Sequence, residues 1–215
     1  MKKGAGSVEM QELLQEMEDY AAAQGVPIIR AQEHEIFVRA VQAAAPQHIL
    51  EIGTAIGYSA LLLAYYSPER AKILTMEKDE RRMREAASFL GQSPLQKKIR
   101  VLPGDAGETL ARLSVDPAYR GYFDFVFIDA AKGQYPDYLQ KILPMLADRA
   151  VILSDNVLFR GYVLSDEKPP RRYKTIVKRL RAYLTMLDGL GGQTKIYENG
   201  DGLAVTAFRR NDYAG

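Results

Sequence analysis

The sequence predicts an α/β fold: a mostly parallel sheet of seven strands with helices on both faces and an antiparallel hairpin at its C-terminal end. Three observations lead there. Five short apolar runs between residues 48 and 153 alternate with stretches of helical spacing, and repeated strand–helix alternation builds a parallel sheet. Turn residues follow each run. Two further strand-like runs flank Asn199-Gly200-Asp201-Gly202, and Asn-Gly and Asp-Gly pairs are strong hairpin signals. The 215 residues suit one domain, organised as N-terminal helices over 1–46 and a sheet core over 47–208.

The elements follow in order. From Ser7 to Gly25, Met10, Leu13, Leu14, Met17, Tyr20 and Ala21 keep helical spacing, with Ser7 as N-cap and Gly25 beyond the last turn. Pro27 makes Val26–Ile29 extended. A second helix is expected over Gln32–Ala45, with Ile36, Phe37, Ala40, Val41 and Ala44 on one face and Pro46 as its stop. Strands at His48–Ile52, Lys72–Met76, Ile99–Leu102, Phe123–Ile128 and Ala150–Leu153 then alternate with helices near Tyr58–Tyr66, Glu80–Gly91, Gly107–Leu113 and Tyr135–Leu146. A basic helix is expected over Arg171–Leu187, then the hairpin strands Thr194–Glu198 and Leu203–Phe208, and a frayed tail over Arg209–Gly215.

Composition removes several classes of chemistry. The chain has no cysteine, so disulfides, Cys-ligated metals and thiol nucleophiles are excluded. That also excludes methylation of a base carbon through a cysteine adduct. His34 and His48 are the only histidines, too few for a three-His zinc site. No apolar run approaches the roughly 18 residues of a membrane span, and Gly4–Glu12 is not the apolar core of a signal peptide. A cytoplasmic protein without a membrane partner is expected.

In an open parallel sheet, ligands bind beyond the C-terminal ends of the strands, where the order switches. The first run ends in Glu51-Ile52-Gly53-Thr54-Ala55-Ile56-Gly57-Tyr58-Ser59. Gly53 and Gly57 let the backbone approach a ligand closely. The middle glycine of G-x-G-x-x-G is missing, which argues against a nucleotide-binding dehydrogenase, and the preceding Glu51 would attract an ammonium group. Glu77, after the second run, can accept both hydroxyls of a ribose, and Gly104-Asp105-Ala106, after the third, can meet an adenine edge. Together they suggest an adenosyl ligand with a cation and no phosphate, S-adenosylmethionine. The fourth run ends in Asp129-Ala130-Ala131-Lys132 and the fifth in Ser154-Asp155-Asn156. Neighbouring strands lie about 4.8 Å apart, so Asp129, Asp155 and Asn156 can converge as hard oxygen ligands for Mg²⁺, Mn²⁺ or Ca²⁺. Taken singly, each of these ends also reads as ordinary turn chemistry, and Lys132 as a solvated surface lysine; their occurrence on neighbouring strands favours a site.

These motifs resemble the metal-dependent O-methyltransferases of the caffeoyl-CoA and catechol type: EIGTAIGYS at Glu51–Ser59, Met76-Glu77, Gly104-Asp105-Ala106, Asp129-Ala130-Ala131-Lys132 and Ser154-Asp155-Asn156. The match runs from about Val26 to Phe208. More narrowly, VPI at Val26–Ile28, FIDAAKGQY at Phe127–Tyr135, DNVLFRGYV at Asp155–Val163 and GDGLAV at Gly200–Val205 are similar to bacterial tRNA 5-hydroxyuridine methyltransferases, which make 5-methoxyuridine at the wobble position of the anticodon loop. The resemblance implies a Rossmann-like class I methyltransferase fold and a homodimer. It implies cofactor contacts at Ile29, Glu51, Gly53, Tyr58, Ser59, Glu77, Asp105, Ala106 and Asp129. It also implies metal ligation by Asp129, Asp155 and Asn156, and catalytic roles for Lys132 and Asp129. Two departures stand out: Ala131 replaces a second Asp of caffeoyl-CoA enzymes, and no Trp is available for a catechol pocket.

The charge is unevenly spread. Leu158–Tyr183 holds eight bases and two acids, a net +6, so with +2 overall the rest of the chain carries −4. This stretch starts directly after the expected metal ligands, where Arg160, Arg171, Arg172, Lys174 and Lys178 can contact RNA phosphates and Tyr162 or Tyr173 can stack on a splayed base. DNA is not an expected partner. A solvated amphipathic helix is the plainer reading, with Ile176, Val177, Leu180, Tyr183 and Leu184 inward. A small catechol or a hydroxycinnamoyl ester is the alternative substrate, and a non-catalytic RNA-binding module the alternative class. Pro169-Pro170-Arg171 lacks the flanks of an amine-methylation motif.

Overall fold

The computed structural model describes the backbone of residues 5–210 and the side chains of 9–210. One sheet of seven strands runs in the order β3-β2-β1-β4-β5-β7-β6. The strands are β1 (His48–Ile52), β2 (Lys72–Glu77), β3 (Ile99–Pro103), β4 (Phe123–Ile128), β5 (Leu146–Ser154), β6 (Thr194–Tyr197) and β7 (Leu203–Arg209). The pairs among β1 to β5 are parallel, whereas β7 runs antiparallel to both β5 and β6. The predicted hairpin therefore forms, and its second strand inserts between β5 and β6.

The helices are α1 (Ala5–Gln24), α2 (Ala31–Ala44), α3 (Tyr58–Tyr66), α4 (Glu80–Gly91), α5 (Ala106–Val115), α6 (Tyr135–Ile142) and α7 (Lys174–Asp188). Alternation along the strands divides the core. Ile49, Ile73, Phe125 and Phe127 pack with Met17 of α1, Phe37 and Val41 of α2, Leu61 of α3 and Phe89 of α4. Leu50, Ile52, Val126, Ile128 and Ile152 pack with Leu110 of α5, Leu139 of α6 and Leu180 of α7. Each face of the sheet is thus covered by its own helical layer, as a parallel sheet requires.

Several expectations are corrected. Helix α1 already begins at Ala5, so Ser7 lies within it and not at its cap; Gly25 does close it, at φ +62°, with the Val26 N–H donating to the Ala21 carbonyl. Helix α2 stops one residue early, at Ala44, because Ala45 turns left-handed ahead of Pro46. Helix α6 ends at Ile142, not Leu146, because Pro144 cannot continue it and a 3-10 turn over Leu143–Met145 takes over. Strand β5 starts at Leu146, not Ala150, since Leu146 pairs with Phe123 across a register shift. Residues 171–173 form a 3-10 turn ahead of α7. Arg209, expected in a frayed tail, pairs with Arg149 in the sheet, and residues 211–215 of that tail lie outside the described residues. No helix among the described residues is long and apolar enough to cross a membrane.

Candidate active site

The chain leaves β1 for β2 and β3 on one side, then returns to β4 on the other, which puts the switch point between β1 and β4. Register aligns the strand ends: Ile52 lies opposite Met76 and Ile128, and Ile128 opposite Ser154. The ladder continues one step beyond the strands. The Asp129 N–H donates to the Ile52 carbonyl at 3.0 Å, and the Asp155 N–H to that of Ile128 at 2.9 Å. Gly53, Glu77, Asp129 and Asp155 therefore emerge in one row. Gly53 has φ +106°, and a Cβ there would land on the Asp129 carbonyl oxygen. Only glycine lets β1 and β4 close up at this point.

A cavity of about 270 Å³ opens over Gly53, Glu77 and Asp129; Asp155 and Asn156 are not among its lining residues. Eight of the nine expected cofactor residues line it: Ile29, Gly53, Tyr58, Ser59, Glu77, Asp105, Ala106 and Asp129. Lys132 lines it as well. Glu51 is the exception. Its side chain alternates into the core beneath the cavity, fully buried, with both carboxyl oxygens lacking a hydrogen-bond partner. Burial raises its pKa to about 8.

Glu77 is fixed from three directions. One carboxylate oxygen accepts the Ala55 N–H at 2.8 Å, the other those of Lys78 and Asp79, both at 3.0 Å. Of the carboxylate's roughly four acceptor positions one is left open, and Glu77 lines the cavity. Asp105 has a role the sequence reading missed: it caps α5, accepting from the Gly107 N–H at 2.8 Å. Tyr58 donates to Glu18 of α1 at 2.5 Å, tying the first helix to the cavity wall.

On the β4 and β5 side, Lys132 pairs with Asp129 at 3.1 Å. Asp155 is only 4% exposed. Burial first, then the charge of Asp129, raises its pKa to about 7; the Asn156 N–H and Lys132 work against that rise. Asn156 follows at φ +57°, its N–H donating to the Asp155 carboxylate at 2.7 Å. Among the described residues, no three His, Cys, Asp or Glu side chains gather as a metal-holding group, so a site here needs the Asn156 carboxamide as third ligand. Two carboxylates and a carboxamide are hard donors, and a buried carboxyl beside a second one gains from a divalent cation. The residues present fit such an ion.

Sequence reasoning missed three contributors. Tyr135 is fully buried and donates to the Asp155 carbonyl at 2.9 Å, steadying the start of the Asp155–Asn156 segment. Arg30 and Glu33, at the start of α2, reach the turn between β6 and β7. No local spacing signals any of them.

The expected RNA-contacting residues Arg160, Arg171, Arg172, Lys174 and Lys178 are all exposed. The guanidiniums of Arg160 and Arg172 lie 5.4 and 4.6 Å from the centre of the Tyr173 ring. Tyr162 and Tyr173 are half-buried against the core beneath α7, which limits the stacking surface they offer. Arg181, within the same basic stretch, is committed elsewhere: it donates to the carbonyls of Tyr162, Val163 and Ser165 and clamps that loop to α7.

Comparison with known proteins agrees with this geometry. A model of the O-methyltransferase family matches residues 5–190. The catechol O-methyltransferase of Niastella koreensis is 32% identical over 120 residues, covering 56% of this chain and 53% of that protein. Caffeoyl-CoA O-methyltransferase 2 of Populus trichocarpa is 31% identical over 126 residues, covering 59% and 51%. The chain spans about half the length of these curated relatives. The crystal structure of an O-methyltransferase from Bacillus cereus in complex with SAH superposes with a TM-score of 0.80 at 25% identity, covering 92% of this chain and 91% of that one. With the family model spanning most of the sequence, and the strand ends, the cavity and Asp129 where such a site requires them, the chain belongs to the O-methyltransferase family.

Proposed function

We propose that this chain transfers the methyl group of S-adenosylmethionine to a hydroxyl oxygen, and that its acceptor is 5-hydroxyuridine at the wobble position of tRNA. The observation that carries the reaction class is the row of strand ends: adenosyl-type acceptors on β2 and β3 and the Asp129 carboxylate on β4 line one cavity, with buried Asp155 on the next strand, β5. When bound, S-adenosylmethionine supplies the methyl group, and a divalent cation at Asp129, Asp155 and Asn156 acidifies and orients the acceptor hydroxyl. The chain's own residues do the positioning. Glu77, already held by three N–H groups, accepts from the ribose. Asp105 and Ala106 face the adenine. Lys132, as the ammonium paired with Asp129, steadies the oxyanion; only as a neutral amine, its own proton first lost to solvent, would it take the acceptor proton.

Three features support the polymeric acceptor. The exposed bases follow directly on Asn156, the remainder of the chain is net acidic, and 5-hydroxyuracil presents two vicinal oxygens, O5 and O4, as a catechol does. The printed names of the relatives favour a second reading, a catechol or caffeoyl-CoA substrate for the same site. Labelled cofactor with Mg²⁺ distinguishes them: the first reading expects label in hydroxyuridine-containing tRNA, and label in catechols alone overturns it. A cytoplasmic homodimer is part of the proposal, and sedimentation tests the dimer.

A further inference from the structure

We propose that Asp201 is a positioning residue that sets the geometry of the Asn156 segment from the far end of the chain. Every polar group of Asp201 is engaged. One carboxylate oxygen accepts from the Arg30 guanidinium at 3.0 Å, the other from the Arg160 N–H at 3.1 Å. Its carbonyl accepts the Leu158 N–H at 2.8 Å, and its own N–H donates to Glu33 at 3.3 Å. The neighbouring Gly202 carbonyl accepts the Val157 N–H at 3.0 Å. One turn thus joins the first residues of α2 to the segment that follows Asp155.

That segment needs an outside hold. Asn156, Phe159, Arg160 and Gly161 all have positive φ, at 57°, 43°, 59° and 78°. For the three that are not glycine this conformation costs free energy and persists only where surrounding contacts impose it. Asp201 and Gly202 supply the contacts at residues 157, 158 and 160, and Arg181 holds the loop further on. Close packing enforces the same fit: a Cβ at Gly202 would overlap Leu158, and one at Gly200 would overlap Glu33. Arg30 in turn follows Ile28 and Ile29, which line the cavity. Asp201 therefore fixes Asn156, the exposed Arg160 and the cavity wall relative to one another. It touches no reacting atom, and its effect on the reaction passes through Asn156.

The inference rests on the reading of Asn156 as a metal ligand, so the test separates the two. Free Mn²⁺ is titrated by electron paramagnetic resonance into the full chain and into Asp201→Ala and Asp201→Asn, with SAH affinity measured by calorimetry on the same samples. Asp201→Ala is expected to weaken Mn²⁺ binding at least tenfold and to leave SAH affinity within twofold. Asp201→Asn leaves one of the two donors, Arg160 N–H or Arg30, facing an amide N–H, and is expected to weaken Mn²⁺ binding three- to tenfold. It carries the test if the alanine variant does not fold. A role confined to folding would lower the thermal midpoint and leave Mn²⁺ affinity unchanged. Parental Mn²⁺ affinity in the folded variants overturns the inference. A parent chain that binds no Mn²⁺ overturns it together with the metal reading beneath it.

Discussion

Replacing Glu77 by glutamine changes one oxygen to an amide nitrogen and keeps the shape. The carboxylate now serves three N–H donors, Ala55 on one oxygen and Lys78 with Asp79 on the other. An amide has one oxygen, so whichever way it turns, at least one N–H faces another donor. The less costly orientation keeps oxygen toward Lys78 and Asp79 and orphans Ala55. The Ala55 N–H is only part-buried, so orphaning it costs about 1 kcal/mol, the low end for a buried donor, and in a domain of this size each kcal/mol lowers the thermal midpoint by roughly 2–4 °C. The free protein should therefore melt about 2–4 °C lower. Cofactor binding loses separately: a hydrogen bond to a charged group contributes about 1.5–3 kcal/mol, so SAH affinity should fall about 10- to 150-fold. Scanning fluorimetry of the free protein reads the first effect and titration calorimetry with SAH the second. An unchanged midpoint would refute the three-donor geometry. A normal midpoint shift with unchanged SAH affinity would refute the placement of the ribose.

Other expectations follow from the same geometry. The pKa of Glu51, raised to about 8 by burial, means that the folded state holds a proton the unfolded chain has lost. Its contribution to stability is present below about pH 4.5 and declines as pH rises toward 8. Glu51→Gln should flatten this decline in urea-denaturation midpoints measured from pH 5 to 8, and parallel curves for both proteins would show that Glu51 is ionised in the fold. Chelation should abolish methyl transfer and Mn²⁺ restore it, while Asp155→Ala should lose activity yet keep its calorimetric SAH affinity; full turnover in excess chelator would sink the metal site. Replacing Arg171, Arg172 and Lys174 with alanine should weaken tRNA binding and reduce its salt dependence, because fewer counterions are released. Unaltered methylation of hydroxyuridine-containing tRNA at moderate salt would remove this face from the RNA surface.

The sequence exposes the sheet well where apolar runs stop abruptly. Strands β1 and β4 and helices α3 and α4 fall where periodicity and Gly or Asp punctuation put them. It hides β5's first half because Asp148 and Arg149 sit exposed within the strand and interrupt its apolar run. Most of the cavity wall is legible because each contributor directly follows a strand. The burial of Glu51 is not legible for a related reason: it precedes the glycine loop, but it is buried and does not line the cavity. Arg30, Glu33, Tyr135 and Asp201 stay hidden since their roles arise from packing between distant segments. Arg181 shows the same limit for charge: a stretch rich in bases says nothing about which of them a backbone carbonyl has already taken.

The insertion of β7 between β5 and β6 has a consequence for the order of folding. During synthesis, β1 to β5 emerge first, and β5 stands as an open edge bearing Ala150 and Ile152 on one face and Leu153 on the other. Such an edge invites pairing with another chain. It is closed only when residues 203–209 arrive and pair along it from Ser154 to Arg149. The same arrival brings in the turn that holds residues 157–160. Completion of the sheet and completion of the segment after Asp155 are therefore one event, separated from Asp129 by more than seventy residues of chain. A nascent or truncated chain ending before β7 should be both aggregation-prone and unable to hold Mn²⁺, with the two defects cured together by supplying the missing strand.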